Sequence, residues 1–147
     1  MVTIPLTLLN LQDDGFHLLL EVIVFGQTFN AVLDTGASKT VFDKTTVENH
    51  LHEDMALQFT DMVSTGLGTN SMQSFILNVP DLQIGGFHLR NHEVAVLDLS
   101  TINFAYGQLD IDPVIGVIGG DILTTYGGII NYRKLELKLR KRKIRGY

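Results

Sequence analysis

The chain contains no cysteine. That excludes a disulfide framework, a thiolate nucleophile and a zinc site built on thiolates. No apolar run approaches the length of about 18 residues that a membrane-spanning helix needs. The opening stretch, MVTIPLTLLNLQDDG, lacks a basic start and soon meets Asp13 and Asp14, so it does not read as a signal peptide. A cytoplasmic location is expected. Basic residues are also scarce over most of the length. Only Lys39, Lys44 and Arg90 precede Arg133, against 15 acids, so residues 1–132 carry −12. The other eight Lys and Arg lie between Arg133 and Arg145 with one acid, Glu136, and bring the net charge to −5. A polybasic terminus can bind nucleic acid or an anionic membrane. Here few aromatics are interleaved and no nucleic-acid motif accompanies it, so an acidic protein surface is the expected contact. Neither nucleic acid nor membrane is expected as a partner.

What is present is the composition of a globular domain. The 147 residues are 45% hydrophobic and 18% charged, enough for one domain over residues 1–147 with a real core. The basic residues read as a C-terminal extension from about residue 133.

The patterning is mostly β. Thr3–Leu9 is a short β-prone run. Phe16–Phe25 and Thr28–Leu33 read as a hairpin turning at Gly26-Gln27. Lys39–Phe42 is extended, and Asp43 is placed to cap a helix over Lys44–Leu51. Residues 57–78 read as two strands around a glycine-bearing tip. Ser74–Val79 and Leu82–Ile84 are β-like, Gly85-Gly86 is a turn, and a new strand begins at Phe87. Glu93–Leu99 reads as a strand, and Ser100 is placed to cap a helical stretch to Tyr106. Val114–Ile118 is a β-run, Asp121–Tyr126 a short helix and Ile129–Tyr132 a strand. Leu135, Leu137 and Leu139 alternate with charged residues, the period of a half-buried strand. The sum is an all-β domain with two or three short helices.

One stretch raises a chemical question. In AVLDTGASKTVF, residues 31–42, an apolar strand delivers a single acid, Asp34, into a loop of small residues. Asp-Thr-Gly alone is an ordinary turn. A second apolar element ending in glycine, Val117-Ile118-Gly119, lies far downstream and precedes a helix.

Leu33-Asp34-Thr35-Gly36-Ala37-Ser38 resembles the catalytic loop of the aspartic peptidases. Paired with Val117-Ile118-Gly119-Gly120-Asp121-Ile122-Leu123, it resembles the single-domain, retropepsin-like branch, over roughly Phe16 to Leu139. The resemblance implies a closed β-barrel that works as a two-fold homodimer. Hydrolysis without a metal or covalent nucleophile needs one group to deprotonate water and one to protonate the carbonyl. Two carboxylates sharing a proton do both, because close like charges push their pKa values apart. One Asp-Thr-Gly per chain then requires a second subunit to supply the other Asp34.

By the same resemblance, Thr35 bonds across the dimer axis and Gly36 lets the loop approach its mate. Ala37 and Ser38 line the substrate groove. Gly66, Leu67 and Gly68 belong to a flap over residues 64–71. Val117 and Ile118 line the pocket, with Gly119 packed beneath the loop. The expected partner is a peptide or protein substrate, with no cofactor and no metal. Several features depart from the retroviral pattern. Gly120 stands where Arg is usual, Ser38 replaces an acid, the flap has fewer glycines, and Ser100–Asp112 looks like an added element. The strand near Leu135–Leu139 can pair between subunits or within its own chain.

Other constellations are weaker. His50, His52 and Glu53 are poorly spaced for a metal, and the histidines read as exposed loop or helix-end residues. Gly66-Leu67-Gly68 is no phosphate loop, and Ser38 and Ser64 lack a nucleophile elbow. Asp110 and Asp112 read as a solvated loop. The alternative function is a non-catalytic peptide- or polyanion-binding module on the same fold.

Overall fold

The computed structural model describes residues 1–51, 58–60 and 74–141. In chain order the strands are β1 (Val2–Pro5), β2 (Thr7–Asn10), β3 (Phe16–Val24), β4 (Gln27–Leu33) and β5 (Val41–Asp43). Helix α1 (Lys44–His50) comes next, then β6 (Gln58–Thr60), β7 (Ser74–Ile84) and β8 (Phe87–Leu97). The chain continues through α2 (Ser100–Gln108), β9 (Gly116–Ile118), α3 (Gly120–Thr125), β10 (Ile129–Asn131) and β11 (Glu136–Leu139). A short 3-10 turn at Gln12–Asp14 joins β2 to β3.

Eight strands form one sheet in the order β2-β3-β4-β9-β5-β8-β7-β6. Pairing of β3 with β7, at Val22↔Ile84 and Ile23↔Gln83, closes six of them into a barrel. Leu20, Val22, Ala31, Leu33, Phe42, Leu77, Ile84, Val96, Ile115 and Ile118 fill its interior. Leu20 and Val22 in β3, and Ala31 and Leu33 in β4, are alternate positions of their strands, as a half-buried pleat requires.

The β3–β4 hairpin forms, but its turn lies one residue earlier than expected. Phe25 and Gly26 both have positive φ, +56° and +72°, and Val24 pairs with Gln27. Positive φ at both central residues matches the strand twist. The strained Phe25 is held by its ring, which stacks on His50 at 5.8 Å. β7 and β8 are longer than the sequence pattern implied, 11 residues each. Pro80, which has no N–H to give, falls out of the ladder opposite Asn91, which takes φ +52°. The strand therefore continues past it.

Thr3–Leu9 divides into two strands in different sheets. Leu6 is buried between them, and its N–H donates to Leu135 O at 2.9 Å. β1 belongs to a small second sheet, ordered β1-β11-β10. The alternating strand at Leu135–Leu139 thus pairs within its own chain, and Leu137 and Leu139 are fully buried. The basic stretch is built into the fold as far as Arg140, whose N–H donates to Tyr126 O at 2.8 Å.

Asp43 caps α1 as expected: Oδ2 accepts from Thr46 N at 3.2 Å and Thr46 Oγ1 at 3.0 Å. It also has a long-range duty, since Oδ1 accepts from Leu99 N at 2.9 Å. Asp43→Ala loses the cap and strands a buried N–H, so a loss of about 2–3 kcal/mol is expected by chemical denaturation. Ser100 is not the cap of α2; it is the first helical residue, and its N–H is met by Asp98 Oδ1 at 2.9 Å.

Candidate active site

The site grows from two strands in parallel. β4 lies against β9, with Val32 opposite Val117 and Leu33 opposite Ile118. Strand alternation puts Val32, Asp34 and Val117 on one face and Ala31, Leu33 and Ile118 on the other. Asp34 N donates to Ile118 O at 3.0 Å, which extends the ladder to the acid itself. The chain then turns. Ala37 N donates to Asp34 O at 3.2 Å, and Gly36 N to Asp34 Oδ1 at 2.9 Å. One carboxylate oxygen is thereby oriented by backbone, and Asp34, Thr35, Gly36 and Ser38 are exposed. Ala37 is half-buried.

The loop is held from behind by a buried polar network. Thr40, fully buried, donates through N and Oγ1 to Asp121 Oδ1 at 3.0 and 2.8 Å. Thr40 Oγ1 accepts from Gly119 N at 3.1 Å. His92 Nε2 meets Asp121 Oδ2 at 2.9 Å. Gly120 N donates to Ala37 O at 2.7 Å. A Cβ on Gly119 would lie 2.6 Å from Lys39 O and 2.7 Å from Ala37 O, so only glycine lets β9 pass beneath the loop. Burial opposes ionisation of Asp121, but hydrogen bonds from His92, Thr40 and the Ile122 N–H outweigh it and hold the carboxyl below its ordinary value.

This network makes two expectations testable. Asp121→Ala leaves two groups of Thr40 unpaired beside the loop, and a stability loss of about 1–3 kcal/mol with reduced turnover is expected from melts and steady-state rates. The pH dependence has a definite sign, because a depressed folded pKa stabilises above the unfolded value and is lost as pH falls through the folded one. The gap in thermal midpoint between wild type and Asp121→Asn should hold from neutral pH down to about 4 and narrow below it.

The other residues named from sequence divide between the face that carries Asp34 and the barrel core. Val117 is on the Asp34 face, nearly buried under α2. Ile118 is fully buried in the barrel core, so it backs the wall from behind and its side chain faces away from the groove. Gly66, Leu67, Gly68 and the rest of the flap, with Ser64, His52 and Glu53, lie outside the described residues. His50 ends α1, as a helix-end residue was expected to, but it is half-buried between Phe25 and Phe29, with Nδ1 2.9 Å from Thr46 O, and not exposed. Among the described residues no three His, Asp or Glu side chains gather as a metal site, and no helix is long and apolar enough to cross a membrane.

Sequence reasoning gave no role to Thr40, His92, His17 or Tyr106. Tyr106 of α2 packs against Val32 and Val117, and its hydroxyl is 2.6 Å from His17 Nδ1. Burial, and next the charge on Asp34, raise its hydroxyl above the ordinary pKa. The one signal in the sequence was that Ser100–Asp112 is an added element beside an otherwise familiar pattern.

A six-stranded barrel with an acid at the end of one strand, braced by a glycine-bearing strand beside it, defines the retropepsin-like fold. The chain belongs to the aspartyl protease family, whose sequence profile matches residues 20–122. Solved structures agree on the fold. A retropepsin-like aspartic protease from Rickettsia conorii superposes with TM-score 0.55 at 20% identity, over 94% of this chain and 86% of that one. The EIAV protease, complexed with an inhibitor, gives 0.52 at 22% identity, over 71% and 83%. The retroviral protease-like domain of Ddi1 from Leishmania major gives 0.57 at 14% identity, over 97% and 93%. No curated protein matches the chain in sequence.

Proposed function

We propose that the chain is an aspartic endopeptidase whose active site is completed by the Asp34 of a second copy. The observation that carries this is Asp34 itself: an exposed carboxylate at the end of a buried strand, oriented by Gly36 N–H and braced through Ala37 by Gly120. Across a two-fold axis the pair shares one proton. The ionised carboxylate takes a proton from water as the oxygen attacks the peptide carbonyl, and the protonated one gives its proton to the carbonyl oxygen. The first carboxylate then gives its proton to the amide nitrogen while the second takes one back from a hydroxyl of the tetrahedral diol, so the C–N bond breaks to acid and amine and the dyad recovers its starting state.

Thr35, exposed beside the acid, is the candidate for the bond between loops. Ala37, Ser38 and Val117 are the candidates for groove contacts, with Ile118 acting from beneath. An extended substrate fits such a groove as a strand, with alternate side chains in pockets. The apolar character of Val32 and Val117 supports apolar residues at the cut.

The test is incubation of the purified chain with a denatured mixed protein from acid to neutral pH, with its association state measured in the same buffers. Cleavage by the dimeric wild type and none by Asp34→Asn supports the reading. Absence of cleavage by a chain shown to be dimeric across that range sinks it.

A further inference from the structure

Val32, Asp34 and Val117 share one face of the β4–β9 pair. Val32 and Asp34 are two residues apart, about 7 Å along a strand. Under the peptidase reading, the space over Val32 and Val117 is where a substrate side chain next to the cut would have to fit. In this chain α2 occupies that place. Tyr106 is 3% exposed and packs with Val32 and Val117, and Ala37 of the catalytic loop borders the same apolar cluster.

The ring is fixed in position. Its hydroxyl is 2.6 Å from His17 Nδ1, on the strand that pairs with β4. Asn103, one turn earlier, donates through Nδ2 to Val114 O at 3.2 Å and accepts from Val114 N at 2.8 Å. The helix is thus tied to the segment that leads into β9. Ile111 N donates to Tyr106 O at 2.9 Å and closes the far side.

We propose that Tyr106 is a specificity-determining residue, its buried ring walling off the space over Val32 and Val117 beside Asp34 and so leaving room there only for small apolar side chains. The proposal rests on the peptidase reading. The residue was not marked out by the catalytic motif, because it comes from the added element and reaches the site only through α2 docking.

The experiment measures two things on the full-length chain. One is kcat/KM for a peptide pair that differs only in Ala or Phe beside the cut. The other is binding of the matching pair of hydroxyethylene peptide isosteres by calorimetry, which needs no turnover. Wild type should prefer Ala in both. Tyr106→Leu shortens the wall, and the Phe-to-Ala ratio should rise about tenfold or more in both. Tyr106→Phe keeps the wall and should keep the wild-type ratio. If the leucine variant melts below the assay temperature, Tyr106→Met carries the same test with a better match in volume.

A wild type that cuts peptides while the shortened variant leaves the ratio unmoved overturns the pocket assignment alone. A wild type that prefers Phe does the same. A wild type that neither cuts nor binds either isostere overturns the peptidase reading beneath it.

Discussion

Asp34→Asn is expected to lower peptide cleavage by about 10³-fold or more, since it removes both the base and the acid of the shared-proton pair. The fold should be indifferent to the change. Asn keeps an oxygen for the Gly36 N–H, and the side chain is exposed, so the thermal midpoint should stay within about 2 °C. A sharper form of the experiment mixes chains. With nine parts of Asp34→Asn to one of wild type and free exchange, a wild-type chain meets a wild-type mate about one time in ten. Activity per wild-type chain should then fall about tenfold. A site complete within one chain would lose nothing on mixing. That result would remove the dimeric mechanism while leaving the family untouched.

How legible the molecule is from its sequence depends on distance along the chain. Asp34, the apolar strand before it and the small loop after it are contiguous, and their chemistry shows in a dozen letters. The cap at Asp43 is equally local, and the structure has it in place. The brace behind the loop is not local. Thr40 and Asp121 are 81 residues apart, and His92 is 29 from Asp121. Only closure of the barrel brings them together, and each alone is an unremarked polar residue.

The same reason explains Ile118. An apolar residue next to Val117 suits a pocket or a core equally well, and the parallel register with Leu33 decides for the core. Local pattern also overcounted breaks. Pro80 reads as a strand end, yet its missing N–H falls where Asn91 turns away and no bond is lost. It undercounted one as well, because nothing in Thr3–Leu9 announces that Leu6 passes from one sheet to another. Tyr106 combines both difficulties. It belongs to a helix that no barrel strand requires, and its neighbours Val32 and Val117 are far away in sequence.

Gly116→Ala is expected to be among the most damaging single substitutions in the chain, although the glycine here has no positive φ. Gly116 stands opposite Phe42 where β9 pairs with β5. A Cβ there would lie 1.8 Å from Val41 O, 2.8 Å from Val41 C and 2.9 Å from Phe42 Cα. Every one of these atoms is backbone, so no side chain can swing aside. The β5–β9 pair must separate, and β9 is also the strand that supports Asp34 through Ile118 O. A loss of about 3 kcal/mol or more is expected from denaturant unfolding, at the upper end for overpacking by one methyl group. Gly120→Ala is the control. A Cβ on Gly120 meets Ala37 O at 3.4 Å and Ser38 O at 3.7 Å, which is ordinary contact, and the residue opens α3. It should change stability by less than about 1 kcal/mol and leave cleavage within a few-fold of wild type. If Gly116→Ala proves as mild as Gly120→Ala, β5 and β9 are not in the contact described. The support for the catalytic strand would then have to come from elsewhere in the barrel.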